Sequence, residues 1–126
     1  MEKKSPKKIL VVDDEEEVLL HLSNILKRAD YDVISTTKGK EAVELAIYQR
    51  PDLIILDIVM PDMGGSEVAA LLVENPSTTN VPIIFLTGIL TKQEETSVKK
   101  PGRNFVMAKP VTGAEVLDAV GKILST

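Results

Sequence analysis

The chain has 126 residues, 15 basic and 19 acidic side chains, a formal charge of −4 at neutral pH, and no cysteine. The lack of cysteine excludes disulfides, thiol catalysis and zinc–thiolate sites, and the negative charge with 3% aromatic residues argues against direct nucleic-acid binding. Because no apolar run reaches membrane-spanning length and the N-terminus lacks an apolar signal core, we expect a soluble, cytoplasmic protein without membrane association.

Apolar runs that predict buried strands alternate along the chain with amphipathic segments that predict helices. We expect a basic flexible tail over 1–7 and one domain over 8–126. The predicted strands span 8–12, 32–36, 53–56, 81–87 and 104–108, and the predicted helices span about 16–29, 40–49, 66–74 and 113–124. The polar stretch 91–100 predicts a short or mobile helix. This alternation is typical of an α/β fold with one five-stranded parallel sheet and helices on both faces.

Four predicted strands end in chemically distinctive residues: Asp13–Asp14, Asp57, Thr87 and Lys109. In a parallel sheet these ends share one edge, so the side chains should converge. Three nearby carboxylates repel one another, and a bound divalent cation would remove that repulsion. Because all the ligands would be oxygen atoms, Mg²⁺ is the ion that suits the site best. Beside Asp57, the Lys109 ammonium would balance the charge of a phosphoryl group, and Thr87 would donate a hydrogen bond to it.

Each of these residues also has a purely structural explanation. Asp57 could cap a turn or helix, and acids such as Asp13 and Asp14 favour a helix N-terminus through the helix dipole. Thr87 could be a turn residue and Lys109 a solvated lysine. His21, the only histidine, is expected to be an ordinary surface residue away from the strand ends, so a Ser-His-Asp triad is excluded.

Taken together, these residues resemble the receiver domains of two-component response regulators, the CheY-like family. The resemblance covers about residues 7–124 and rests on Val11-Val12-Asp13-Asp14, Leu56-Asp57-Ile58-Val59-Met60-Pro61, Gly64-Gly65, Thr87-Gly88 and Lys109-Pro110. It implies a flavodoxin-like, doubly wound fold with strand order 2-1-3-4-5 and a cis Lys109–Pro110 peptide bond.

The resemblance also implies that Asp57 accepts a phosphoryl group from a sensor histidine kinase, a phosphotransfer protein or a small donor such as acetyl phosphate. Asp13, Asp14, Asp57 and the Val59 backbone carbonyl would hold Mg²⁺, while Thr87 and Lys109 would contact the phosphoryl oxygens. Such a domain catalyses only its own phosphorylation and dephosphorylation and is not an enzyme for external substrates. Segment 91–100, the fifth strand and the last helix would signal to a downstream effector or output domain. The resemblance leaves open whether phosphorylation produces a homodimer. It also leaves open whether the chain is a stand-alone receiver or part of a longer regulator.

The sequence departs from the family pattern at several positions. Val106 stands where family members commonly carry an aromatic switch residue, with Phe105 beside it, and Gly88 replaces a common alanine. Val59 and Ile89 flank the expected phosphoryl group and offer no hydrogen bond to an attacking water, so we expect slow loss of phosphate. Two other readings are a degenerate receiver that acts as a binding scaffold and an aspartyl phosphatase, which would lack its general acid at Val59.

Overall fold

The computed structural model describes residues 6–88 and 104–124, where a five-stranded parallel sheet is flanked by four helices. In chain order the elements are β1 (Lys8–Val12), α1 (Glu16–Arg28), β2 (Asp32–Thr36), α2 (Gly39–Gln49), β3 (Leu53–Asp57), α3 (Gly65–Glu74), β4 (Ile83–Thr87), β5 (Asn104–Ala108) and α4 (Gly113–Leu124). The strand order β2-β1-β3-β4-β5, with every pair parallel, confirms the predicted fold class. Segment 91–100, Ile89 and residues 1–5 of the predicted tail lie outside the described residues.

Two apolar clusters cover the two faces of the sheet. On one face β1, β3 and β4 pack against α1 and α4, and on the other face the same strands pack against α2 and α3. All residues of β3 and β4 are buried, as continuous apolar runs predict for the centre of a parallel sheet. Because β1 and β3 are neighbours at the point where the strand order reverses, their carboxyl ends flank the crevice in which doubly wound folds bind ligands.

Helix α1 turns a slightly different face to the sheet from the predicted one. The 3.6-residue periodicity of the sequence predicts an inward face of Val18, Leu22, Ile25, Leu26 and Ala29. Leu22 and Leu26 are buried as predicted, the other three are only half-buried, and Leu19 and Ser23 complete the buried row. Both rows satisfy helical periodicity, and packing against the sheet selects between them. Within the described ranges, none of the helices has the length and apolar character that a membrane span requires.

Candidate functional site

The carboxyl ends of β1 and β3 bring three predicted acids together. Asp13, Asp14 and Asp57 each offer a carboxylate oxygen, and these oxygens lie within 4.8 Å of one another. Asp13 and Asp57 are buried, whereas Asp14 is exposed. Two of the three negative charges are therefore held close together in the protein interior, where their repulsion is only weakly screened.

The Lys109 ammonium lies among these acids. Its Nζ atom is 2.8 Å from Asp13 Oδ2, 3.4 Å from Glu15 Oε1 and 3.6 Å from Asp57 Oδ2. Its backbone is held as well, because its amide donates to the Thr87 carbonyl at 2.8 Å. The peptide bond from Lys109 to Pro110 is cis, as the resemblance implied. The structure thus places Lys109 beside Asp57, with Asp13 as its nearest partner.

The pKa values of Asp57 and Lys109 reflect this crowding. Burial and the charge of Asp13 raise the pKa of Asp57 to about 6, a contact with Asp14 adds to the rise, and Lys109 opposes it. For Lys109, burial works to lower the pKa, but Asp13, Asp57 and Glu15 outweigh it and raise the pKa above its ordinary value. One ammonium therefore does not neutralise the acidic edge.

Thr87 and Val59 complete the set of predicted site residues. Thr87 ends β4, is buried, and pairs in register with Ala108, directly before Lys109. The Val59 amide donates to Asp57 Oδ1 at 3.3 Å, and the Val59 side chain is 61% exposed at the mouth of the site. Both residues lie at the edge where the acids meet, while the roles of the Val59 carbonyl and the Thr87 hydroxyl stay predictions.

Comparison with known proteins shows the family to which this fold belongs. The family described as the response regulator receiver domain matches residues 9–121, nearly the whole chain. The chain belongs to this family. Its receiver fold also matches solved structures, among them the chemotaxis protein CheY4 of Vibrio cholerae, with a TM-score of 0.82, 28% identity, and coverage of 94% of this chain and 98% of CheY4.

Curated relatives of this receiver differ in length. The polar-differentiation response regulator DivK of Brucella anthropi is 29% identical over 119 residues, which cover 94% of this chain and 97% of DivK. The alkaline phosphatase synthesis transcriptional regulatory protein PhoP of Bacillus subtilis is 38% identical over 118 residues, again 94% of this chain but 48% of PhoP. This receiver therefore corresponds to a whole protein in one case and to about half of a longer one in the other.

The acidic edge of the receiver fits a hard divalent cation. Apart from the ion pair with Lys109, the buried Asp13 Oδ2 atom has no hydrogen-bond partner among the described residues. The available ligands are carboxylate oxygens, which suit Mg²⁺, and the raised pKa of Asp57 reports negative charge that a cation would relieve. The residues present therefore fit the ion that the sequence predicted.

The loop after Asp57 is held tightly against the strand end. A Cβ atom added at Gly65 would lie 2.5 Å from the Asp57 carbonyl oxygen and 2.7 Å from Ile58 Cα, so only glycine fits there. The Gly65 amide also donates to the Ile58 carbonyl at 2.7 Å. Of the Gly64-Gly65 pair quoted in the sequence motif, Gly65 thus has a steric cause: α3 begins in contact with the backbone of the candidate phosphoacceptor.

The same loop supplies the cap of a neighbouring helix. The Asp62 carboxylate accepts hydrogen bonds from the Gly39 and Lys40 amides, at 3.2 and 3.4 Å, in the first turn of α2. Lys38, the N-cap residue of α2, makes no side-chain cap. These backbone donors lower the pKa of Asp62. The sequence does not reveal this role, because an aspartate after proline is a suitable helix cap but its position does not indicate which helix it reaches.

Two further side chains lie near Lys109. Glu15, the N-cap residue of α1, makes the ion pair described above. His21 is exposed as predicted, but it is not remote from the strand ends: it lines a cavity of about 370 Å³ together with Glu15 and Lys109. His21 thus lies nearer to Lys109 than predicted, because both side chains line one cavity, which helical periodicity alone does not reveal.

The residues that depart from the family pattern lie on β5 and at the end of β4. Val106 is half-buried and packs on the face covered by α2 and α3, while Phe105 is 42% exposed and borders a cavity beside α4. Gly88, directly after Thr87, is exposed. Phe105 and Val106 point to opposite faces, as neighbours on a strand must, so Phe105 does not occupy the place of an aromatic residue at 106.

Proposed function

We propose that this receiver accepts a phosphoryl group on Asp57 in a two-component phosphorelay and is not an enzyme for external substrates. Mg²⁺ would be held by Asp13, Asp14, Asp57 and the Val59 carbonyl, with Thr87 and Lys109 contacting the phosphoryl oxygens. The observation that carries the proposal is the position of the Asp57 carboxylate, buried between an acid pair and the Lys109 ammonium.

The partners follow from this chemistry. The phosphoryl donor would be a sensor histidine kinase or a phosphotransfer protein, and the acceptor of the signal a downstream effector or output domain, in the cytoplasm. We assign residues 8–126 to the receiver domain and 1–7 to a basic tail. Direct nucleic-acid or membrane contact is not part of the proposal, and a homodimer formed on phosphorylation is compatible with it.

The transfer is an in-line displacement at phosphorus. An ionised Asp57 oxygen forms a bond to phosphorus while the bond to the donor breaks, and the electron pair leaves with the imidazole nitrogen of phosphohistidine or with the acetate of acetyl phosphate. Bound Mg²⁺ supplies charge neutralisation at the three carboxylates. Lys109, with Nζ 3.6 Å from Asp57, needs only a short movement to pair with the incoming oxygens. The Val59 amide donates a hydrogen bond to Asp57 Oδ1 and so helps to orient the attacking carboxylate.

Intact-mass analysis tests the proposal. The protein is incubated with acetyl phosphate, with Mg²⁺ or with EDTA, beside Asp57→Asn and the control Asp118→Asn, which removes an exposed carboxylate on α4. We expect one added phosphoryl group in the wild type and in Asp118→Asn with Mg²⁺, and none in Asp57→Asn or with EDTA. A wild type that gains no mass under any of these conditions would contradict the proposal and favour a binding scaffold.

A further inference from the structure

Glu15 is a third carboxylate partner of Lys109 that the proposed chemistry does not use. Its Oε1 atom lies 3.4 Å from Lys109 Nζ, and its side chain is 63% exposed, in contrast to the buried Asp13 and nearly buried Asp57. Its backbone is tied to the site: the Glu15 amide donates to Asp13 Oδ1 at 3.0 Å. Glu15 thus reaches the ammonium from the solvent side of the cluster.

The start of α1 fixes the place from which Glu15 reaches Lys109. The Glu15 carbonyl accepts the amides of Val18 and Leu19, at 3.1 and 3.2 Å, so the residue is the N-cap of the helix. Its side chain does not cap the helix itself and is free to turn toward Lys109. The position of Glu15 relative to Lys109 is therefore set by the fold.

Cation binding and phosphorylation would alter the charges of the three acids around Lys109 to different extents. Under the proposed function, Asp13 faces a cation and Asp57 carries the phosphoryl group, so the attraction of both carboxylates for the Lys109 ammonium becomes weaker. Glu15 is the one partner of the three that keeps its free charge. A single ammonium must then divide its interactions between Glu15 and the phosphoryl oxygens, and the two compete.

We propose that Glu15 is a positioning residue that retains the Lys109 ammonium in the unphosphorylated receiver and competes with the phosphoryl group for it. This inference rests on the proposed function of Asp57. Removing the competition should speed phosphorylation, since Lys109 then moves to the incoming oxygens at less cost. Exposed ion pairs are weak, so the expected acceleration is modest, about two- to fivefold.

The test compares phosphorylation rates with acetyl phosphate at saturating Mg²⁺, determined separately for each variant. Glu15→Gln should react about two- to fivefold faster than the wild type. Glu16→Gln and Glu17→Gln are matched controls: they lose the same charge from the same exposed turn, and no ion pair joins either residue to Lys109 within the described part of the chain. Both should stay near the wild-type rate.

Glu15→Asp separates the contact from the charge. An aspartate at an N-cap favours the helix amides and is one methylene shorter, so it keeps the charge but withdraws from Lys109. It should therefore resemble Glu15→Gln. A readout that a purely structural role would not change is the Lys109 Cε–H NMR signal of the metal-free protein, which should shift in both Glu15 variants and not in Glu16→Gln.

Each outcome has a distinct meaning. Glu15→Gln at the rate of the Glu16 and Glu17 controls, or Glu15→Asp at the wild-type rate, would overturn the role of Glu15 while leaving phosphorylation of Asp57 intact. A wild type that gains no phosphoryl group would overturn the proposed function, and this inference with it.

Discussion

Replacing Asp57 by asparagine should stabilise the metal-free protein near pH 7.5. The Asp57 side chain is 6% exposed, and burial together with the charge of Asp13 raises its pKa to about 6. Asparagine has nearly the same shape and no charge, so it removes the repulsion while keeping the packing. The ionised candidate phosphoacceptor is therefore an unfavourable charge in the folded, metal-free protein.

The sign and size follow from the two pKa values. Because the pKa is higher in the folded state than the ordinary 3.8, ionising Asp57 destabilises the fold. The effect is absent below pH 3.8, grows as the pH rises, and is complete above about pH 6. At about 1.4 kcal/mol per pH unit the full difference is about 3 kcal/mol. Solvent at the open rim reduces it, and we expect a gain of about 1–2 kcal/mol for Asp57→Asn.

Urea unfolding in EDTA, followed by far-UV circular dichroism because the chain has no tryptophan, measures this gain. The difference between Asp57→Asn and wild type should be present at pH 7.5 and vanish near pH 4. Asp118→Asn should change stability by less than about 0.5 kcal/mol at both pH values. In a parallel series without EDTA, Mg²⁺ at ten times its Kd for the wild type should stabilise the wild type by about 1.4 kcal/mol and the Asp57→Asn variant less. An Asp57→Asn variant less stable than wild type at pH 7.5, or equally stabilised at both pH values, would refute the reasoning.

Three further predictions concern the loop after Asp57 and the helices. Val59→Asn should lose its phosphoryl group about five- to tenfold faster than the wild type by time-resolved intact mass, since an amide can orient the attacking water; an equal rate would count against the apolar shield. Asp62→Ala should lower the free energy of unfolding, measured in urea, by removing the α2 cap, and Asp62→Asn should lower it less. Gly65→Ala should lower the free energy of unfolding by more than about 2 kcal/mol. Gly121→Ala, where an added Cβ meets no described atom within 4 Å, should raise it by about 0.5–1 kcal/mol because alanine favours the helix. Similar values for the two variants would contradict the steric argument.

Much of the fold and the meeting of the acids could be predicted from the sequence. Continuous apolar runs fix the buried strands, and alternation with helices makes the sheet parallel, so topology alone brings the ends of β1, β3 and β5 to one edge. Asp13, Asp57 and Lys109 lie directly at those ends. Their convergence needs no knowledge of loop shape, and this is why it could be predicted.

The contacts that depend on loops and helix rotation could not be predicted. Asp62 accepts from two backbone amides that lie 22 and 23 residues before it, and Glu15 reaches a lysine 94 residues later. Periodicity leaves the rotation of α1 undetermined by one row, which also hid the approach of His21 to Lys109. In each case the backbone path between elements sets the distance, and the residue types involved are common on any surface.

The rigidity of the central strands connects the stability of the fold with its chemistry. A flexible edge would let Asp57 turn away from Asp13 into water, and its pKa would return to the ordinary range. Here β3 is buried along its whole length and Gly65 packs on the Asp57 carbonyl, so the carboxylate stays where it is repelled. Burial and the charge of Asp13 then both favour cation binding to the ionised carboxylate, and the stability that Asp57→Asn gains measures their net cost after the opposing attraction of Lys109. If that gain is small, the affinity for Mg²⁺ must come from direct coordination alone.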